Sequence, residues 1–232
     1  MILSEILRNT LFVLRVHLIS LVSATSLYIL IAIGINSLLQ ISTQSSESFP
    51  ILLLLPVVEM VLSALITFAG LRYFLNSEDG PLEINRTKIL NYIFTAFFIS
   101  IATTLGFLLL IIPGIIIVSV SILYPVYILK DNDGVFKSID KSIDALKGNL
   151  VTVCLAVCIF YFCLYLLTYV VAFVFQLVSL NAYLSIFIGN ILSYLLGLIL
   201  IPFIFVIYEA SNETSNKEVV WDSGDDSPPT QT

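Results

Sequence analysis

The sequence predicts an all-α fold: a polytopic membrane bundle of six transmembrane helices in three hairpins, with cytoplasmic interfacial amphipathic helices. Two observations lead to this prediction. Hydrophobic residues make up 59% of the chain and charged residues only 11%, which is about half the charged fraction of a soluble domain. Residues 89–129 contain no charged residue at all. One globule of this size cannot bury so much apolar surface, so we expect lipid to surround most of the chain.

A bilayer core takes about 20 apolar residues per helix. On this criterion the six predicted spans lie at 18–39, 51–71, 88–107, 113–129, 150–178 and 183–208. The first span is preceded by charged residues, but no convincing small-residue cleavage site follows it. We therefore interpret it as a retained helix and not as a signal peptide.

The uncharged run 89–129 is long enough for two spans, so its Pro-Gly pair predicts a turn between them. Pro113 suits the first helical position, where its missing N–H costs nothing. Gly106 and Gly114 have no Cβ and allow close helix packing. Lipid offers no hydrogen-bond partners to a recessed turn. We therefore expect protein to cover this turn, with Thr103, Thr104 or a neighbouring span pairing the carbonyls of residues 109–112.

The basic residues predict the orientation in the membrane. They are Arg8, Arg15, Arg72, Arg86, Lys88, Lys130, Lys137, Lys141, Lys147 and Lys217. In a six-span topology all of them fall on one side. The positive-inside rule then puts both termini in the cytoplasm.

Amphipathic segments at 2–14 and 133–147 precede the first and fifth spans. In the second segment an apolar stripe is expected to lie against lipid or the inner rim of the bundle; it contains Phe136, Ile139 and Ile143. Opposite it, three lysines are expected to face anionic lipid headgroups; they are Lys137, Lys141 and Lys147. Asp133 is the expected cap of this helix. Residues 209–232 are acidic and polar, which predicts a disordered cytoplasmic tail.

Two stretches carry a resemblance to a known family. They read GFLLLIIPGIII, followed by YPVYILKDNDGVFKSIDKSIDALKGN, and, near the N-terminus, ILRNTLFVLRVHLISLV. The chain resembles the YciC-like family of bacterial inner-membrane proteins, and it is similar to the membrane domain attached to some glycerophosphodiester phosphodiesterases. The resemblance implies a location in the bacterial inner membrane and a helical fold. It implies no reaction, because the related phosphodiesterases keep their chemistry in a separate soluble domain that has no counterpart in this sequence.

Glu59 is the one acidic residue that lies well inside a predicted span. Burying its charge at mid-membrane costs about 2.5–3.5 kcal/mol on insertion scales, so we expect it to face the bundle. Two interpretations stay open: a proton, ion or lipid-headgroup site, or a neutral carboxyl bonded to a neighbouring amide such as Gln176 or Asn190. The prolines of the even-numbered spans, Pro56, Pro125 and Pro202, mark either packing kinks or the interrupted helices of a binding site.

The sequence contains no arrangement typical of catalysis, no cofactor motif and no basic patch for nucleic acid. Its cysteines, Cys154, Cys158 and Cys163, lie in one apolar run, where we expect them to pack as small apolar side chains without a metal. We predict a non-enzymatic membrane-organising or lipid-interacting module, with membrane lipids as partners. The alternative is a small transporter or channel with Glu59 in a polar intramembrane site. Protein partners and the oligomeric state, including a homo-oligomer, stay open.

Overall fold

A computed structural model describes residues 2–45, 49–79, 81–131, 133–178 and 182–222. Within these ranges the regular structure is entirely helical. The α-helices are α1 (Leu3–Ser45), α2 (Phe49–Asp79), α3 (Arg86–Leu109), α4 (Ile111–Ser121), α5 (Tyr124–Asp131), α6 (Val135–Leu146), α7 (Leu150–Val178), α8 (Ala182–Gly197) and α9 (Leu200–Asp222). The predicted all-α fold is confirmed.

Six segments of the described chain are long and apolar enough to cross a membrane, as predicted. They are Leu3–Ser42, Leu55–Asn76, Arg86–Leu109, Ile111–Asp131, Val135–Val171 and Tyr183–Asn212. Many large apolar side chains on them are exposed; on α3 these include Leu90, Phe94 and Phe98. Such surfaces are stable against lipid and costly against water. These features define a multi-pass membrane protein.

The core forms around the first half of α9. Residues 201–208 of this helix are all buried. Phe203 stacks on Phe160 of α7 with ring centroids 4.2 Å apart, and Phe205 stacks on Phe74 of α2 at 4.9 Å. Aromatic pairs contribute about 0.5–1.5 kcal/mol beyond the area that they bury. Together with its packing on α1, these contacts make α9 the helix on which α1, α2 and α7 assemble.

The first helix differs from the prediction. The sequence predicted a separate interfacial helix at 2–14 before a span at 18–39, whereas α1 runs unbroken from Leu3 to Ser45. No Gly or Pro separates the two segments, so nothing stops the helix. The polar side chain at the junction, His17, is accommodated within the bundle, where its Nδ1 lies 3.2 Å from the Tyr73 hydroxyl of α2.

The fourth span is interrupted, whereas the sequence predicted one helix at 113–129. It consists of α4 and α5, separated at Ile122 and Leu123. Ser142 of α6 joins the two ends: its Oγ donates to the Val120 carbonyl at 2.6 Å and accepts from the Leu123 N–H at 3.1 Å. Pro125 stands in the first turn of α5, where a proline removes no helical hydrogen bond.

The segment predicted at 133–147 is a helix, α6, and its most buried face is a different one from the apolar stripe, whose predicted position against lipid or the inner rim of the bundle stays a prediction. The buried side chains are Ser138, Ser142 and Leu146. Phe136 is 79% exposed, while Ile139 and Ile143 are half-buried. Of the two buried serines, Ser142 contacts the break between α4 and α5. The prediction that Asp133 caps the helix is wrong, because Gly134 is the N-cap residue and makes no side-chain cap.

The sixth span is also interrupted. The helix α8 ends at Gly197 and α9 begins at Leu200, with Pro202 in its first turn. The helix α9 then continues to Asp222, whereas the sequence predicted disorder from residue 209. The start of this extension packs against the bundle: Ser211 is buried and its Oγ donates to the Tyr208 carbonyl at 2.8 Å. The rest of the predicted tail, 223–232, lies outside the described residues.

Candidate functional site

A polar cluster joins α1 to α8 inside the membrane. Asn36 Nδ2 donates to Asn190 Oδ1 at 3.3 Å, and Asn190 Nδ2 donates to Ser37 Oγ at 3.0 Å. All three side chains are buried. Without water, a buried amide must find protein partners, so these bonds hold α1 and α8 in one register.

Glu59 lies at the edge of this cluster. Gln40 Nε2 donates both to Glu59 Oε1, at 3.5 Å, and to Asn190 Oδ1, at 3.4 Å. The structure therefore brings two of the three predicted site residues, Glu59 and Asn190, onto one amide. The side chain of the third, Gln176, lies outside the described residues. The Gln40 contacts are at the long end of the hydrogen-bond range, so Glu59 is held loosely.

The sequence interpretation missed the α1 side of the cluster. Gln40 follows Ser37 by three residues and Asn36 by four in an otherwise apolar stretch, and this spacing puts Gln40 on the same helix face as each of them. The polar face was therefore readable from the sequence. The sequence did not show that this face of α1 contacts α8.

The turn around Pro113 is tight but open to the outside. Leu110 alone separates α3 from α4, and its N–H bonds the Gly106 carbonyl at 3.0 Å. The prediction that protein covers this turn is wrong, because Leu109 is 77% and Ile112 70% exposed. Thr104 does not reach it either, since its hydroxyl donates to the Ser100 carbonyl. Pro113 is the third residue of α4 and not the first.

The predicted role of Gly106 and Gly114 in close packing agrees with the geometry. A Cβ on Gly106 would lie 2.9 Å from the Gly114 Cα, and a Cβ on Gly114 would lie 2.5 Å from Cγ of Phe107. Real Cβ atoms essentially never approach so closely. The two glycines, one on each side of the turn at Leu110, therefore let α3 and α4 approach backbone to backbone.

Each of the three lysines predicted to face anionic lipid pairs with an aspartate. Lys137 lies 2.7 Å from Asp133, and Lys147 lies 2.5 Å from Asp144. Lys141 bridges Asp133, at 2.6 Å, and Asp131. The side chains of Lys137 and Lys147 stay about 70% exposed, so their outer surfaces are free to meet other groups. Asp133 itself is buried.

The pKa of Asp133 follows from these contacts. Burial raises the pKa of its carboxyl, but hydrogen bonds and charge attraction from Lys137 and Lys141 outweigh burial and lower it below the ordinary value of 3.8. A carboxyl whose pKa is lowered on folding stabilises the fold above its unfolded pKa, and this contribution is lost as the pH falls through the folded pKa.

We therefore expect Asp133→Asn to destabilise the protein by about 2 kcal/mol at pH 7, since charge-assisted hydrogen bonds are lost. The difference from the parent should shrink as the pH is lowered from 5 to 3, because the parent then loses the same charge. Thermal unfolding in detergent across this range measures it. Asp140→Asn is the control, since Asp140 is exposed, and it should change little at any pH. A constant gap for Asp133→Asn would contradict the assignment.

Both interrupted spans border one cavity of about 340 Å³. Ile122 and Tyr124 come from the break between α4 and α5, and Leu200 comes from the start of α9. The other walls belong to α2, α3 and α7. Pro125 and Pro202 each stand in the first turn of the helix that follows a break, and both breaks border the cavity.

The cavity is partly open, and its rim lies at mid-span. Ser63, Ser100 and Tyr161 line it and are exposed, and each stands near the middle of α2, α3 or α7. The opening therefore faces the hydrocarbon region rather than either aqueous side. The lining consists of apolar and hydroxyl-bearing side chains and includes no charged one. Such a chamber suits an apolar ligand with an uncharged polar group.

A smaller cavity of about 250 Å³ lies beside the first. Thr103, Val118 and Tyr161 line both, so the two meet along α3. The rest of its lining consists of Phe107, Ile115, Val157 and Cys158. Among the described residues, no group of three or more His, Cys, Asp or Glu side chains is placed to hold a metal ion. The cysteines are free thiols.

No protein-family model, curated protein or solved structure matches this chain. The fold and the cavity define a class of protein: a multi-pass α-helical membrane protein with a cavity that opens between its helices. The resemblance to YciC-like proteins stays an expectation based on the quoted stretches.

Proposed function

We propose that this chain is a non-enzymatic protein of the bacterial inner membrane that takes up a lipid-like molecule between its helices. The observation that carries the proposal is the cavity of about 340 Å³, with its uncharged lining and mid-span rim. Its volume is within the usual range for small-molecule sites. A water-soluble, charged substrate would find no partner for its charge in this chamber.

The orientation that we propose has both termini and the helix α6 in the cytoplasm, arranged as three hairpins. The one-sided basic residues support it through the positive-inside rule. On that side, Lys137 and Lys147 keep exposed ammonium groups while pairing with aspartates. We propose that α6 lies at the interface and that these two lysines contact anionic headgroups; Lys141, shared by two aspartates, has less capacity for a third anion.

Filling the cavity tests the proposal. Ala96 lines it from α3 and is partly buried, so Ala96→Trp should occupy the chamber. We expect native mass spectrometry of the purified protein to show at least a fivefold loss of lipid adducts. Ile101→Trp is the matched control, because Ile101 is on the same helix but its side chain is 43% exposed. It should retain the adducts of the parent.

Misfolding of Ala96→Trp is separated from ligand loss by a second variant. Ser100→Trp places its ring at the exposed rim of the same cavity, where no core packing is disturbed. It should also reduce the adducts. If both variants keep their full complement of lipid and melt like the parent, the cavity is not the site and the proposal fails.

A second candidate function is transport through a polar site at Glu59. The observation in its favour is the hydrogen-bonded cluster that ties Glu59 through Gln40 to Asn190. Against it, Glu59 is not among the side chains that line either of the two adjoining cavities. Proton flux into proteoliposomes, followed with a pH-sensitive dye, distinguishes the two. Transport requires a flux above that of empty vesicles that Glu59→Gln abolishes, and we expect no such flux.

A further inference from the structure

A third cavity, of about 290 Å³, lies between α1 and the end of α2. Its lining consists of Ala24, Tyr28, Phe68, Ala69, Arg72, Tyr73, Asn76 and Ile84. Ala24, Tyr28 and Arg72 are exposed, so the cavity opens on the outer surface of the bundle. It shares no lining residue with the two cavities described above, whose linings carry no charge.

The lining crosses the boundary between the headgroups and the hydrocarbon. The span of α2 ends at Asn76, and Arg72 stands one turn before this end, about 6 Å inside it. Phe68 is another turn deeper, whereas Ile84 belongs to the segment that connects α2 to α3 outside the span. One end of the cavity is therefore charged and close to water, and the other end is apolar and close to acyl chains.

The charge of Arg72 is not balanced by a carboxylate of the described chain. The lining includes no acidic side chain, and Arg72 takes part in none of the ion pairs of the described residues. Glu83, which precedes Ile84, is exposed and lies outside the lining. A charge at the edge of a low-dielectric region attracts an opposite charge more strongly than a fully hydrated one does. The cavity thus offers a counter-charge to an anion.

Asn76 adds a second donor beside Arg72. The Leu82 N–H donates to Asn76 Oδ1 at 2.9 Å, which fixes the orientation of this amide. Its Nδ2 hydrogens make no hydrogen bond within the described chain, and Nδ2 is not among the buried atoms that are closed to solvent. The guanidinium of an arginine presents a planar fork of N–H donors that matches two oxygens of a phosphate. Arg72 and Asn76 together form a donor set for an oxyanion.

We propose that this cavity binds an anionic phospholipid, with its phosphate on Arg72 and Asn76 and the start of an acyl chain between Tyr28 and Phe68. The proposal goes beyond the proposed function, because it concerns a separate cavity and a charged ligand. A free phosphate would find the same two donors but would leave the apolar end of the cavity empty. A phospholipid occupies both ends, and it enters directly from the bilayer through the open side.

Two probes with identical acyl chains test the site. They are dioctanoyl phosphatidic acid and dioctanoylglycerol, which lacks the phosphate. Because the cavity opens to the bilayer, we expect its ligand to exchange with bulk lipid, so binding is measured by titration of the delipidated full-length protein in native mass spectrometry. Arg72→Gln should weaken binding of phosphatidic acid about tenfold, since a charge-assisted contact is lost. Arg72→Lys should weaken it less, because the charge remains and only the fork is lost.

Arg15→Gln is the matched control, since it removes the same charge from an exposed position of α1 outside the lining. It should bind phosphatidic acid like the parent. If it weakens binding as much as Arg72→Gln does, the attraction belongs to the basic surface as a whole and the site at Arg72 is wrong. The site is equally wrong if Arg72→Gln binds phosphatidic acid like the parent. Dioctanoylglycerol should bind all three variants as it binds the parent.

Inorganic phosphate identifies the source of the anion. Added at the same concentration as phosphatidic acid, it should leave the binding of the lipid unchanged. Displacement of the lipid by inorganic phosphate would mean that the site takes free phosphate, and the assignment to a phospholipid would be wrong.

Ala96→Trp separates this inference from the proposed function, because Ala96 lines the larger cavity only. The variant should keep the binding of phosphatidic acid that depends on Arg72. If it abolishes this binding, the lipid occupies the larger cavity; the inference is then wrong and the proposed function stands. If it keeps this binding and also binds dioctanoylglycerol like the parent, the inference stands and the proposed function fails.

Discussion

Replacing Gly106 by leucine is expected to separate α3 from α4 and to destabilise the protein by about 3 kcal/mol or more, the upper range for overpacking a close contact. The reason is that a Cβ on Gly106 would stand 2.9 Å from the Gly114 Cα and 3.0 Å from its N. These are backbone atoms, so no side-chain rotation relieves the clash. In a membrane, helix association depends on such close packing of small residues, because lipid and leucine are equally apolar.

Leucine substitutions at two further glycines serve as comparisons for this prediction. Gly114→Leu should be milder, because its clash is with the Phe107 ring, and Phe107 is 46% exposed and can turn toward lipid. Gly34→Leu in α1 should be close to neutral, since no atom lies within 4 Å of its Cβ position. Melting temperature and yield of detergent-purified protein measure the series. The interpretation is wrong if Gly34→Leu is as damaging as Gly106→Leu.

The fold class followed from the sequence because the bilayer allows few solutions. A run of apolar residues must be helical where no water can pair the backbone, and length then gives the number of spans. The interruptions at Leu123 and Leu198 were not predictable in the same way. No Gly-Pro pair marks the first break, and it is stable only because Ser142, which is distant in sequence, pairs the freed groups.

The candidate site was predictable in part, for a similar reason. A carboxyl inside a span is costly, so Glu59 was identifiable from its position alone, and Asn190 likewise stands out in an apolar helix. The cavity was not predictable, because its lining is drawn from α2, α3, α4, α5, α7 and α9 and its members are ordinary span residues. Thr103 was expected to serve the turn at 109–112, but its hydroxyl is buried without a hydrogen-bond partner. Only the three-dimensional arrangement distinguishes it from Thr104.

Removing the Ser142 hydroxyl is the second change for which we expect a large effect. In Ser142→Ala the Val120 carbonyl loses a donor and the Leu123 N–H loses its acceptor. Each unpaired buried group costs about 1–3 kcal/mol, so we expect a total loss of about 3 kcal/mol. Because the effect is local, hydrogen exchange should accelerate at the amides of residues 120–126 before the rest of the protein opens.

Ser138→Ala is a closely matched control for this prediction. Ser138 is on the same helix and is equally buried, but its hydroxyl donates only to the Val135 carbonyl of its own helix. Losing this local bond leaves no N–H unpaired, so the change should cost less than 1 kcal/mol. If Ser138→Ala destabilises the protein as much as Ser142→Ala, the cost comes from burial in α6 in general. If only Ser142→Ala does so, with faster exchange confined to the break, this one hydroxyl connects α4 to α5 and thereby shapes the cavity wall at Ile122 and Tyr124.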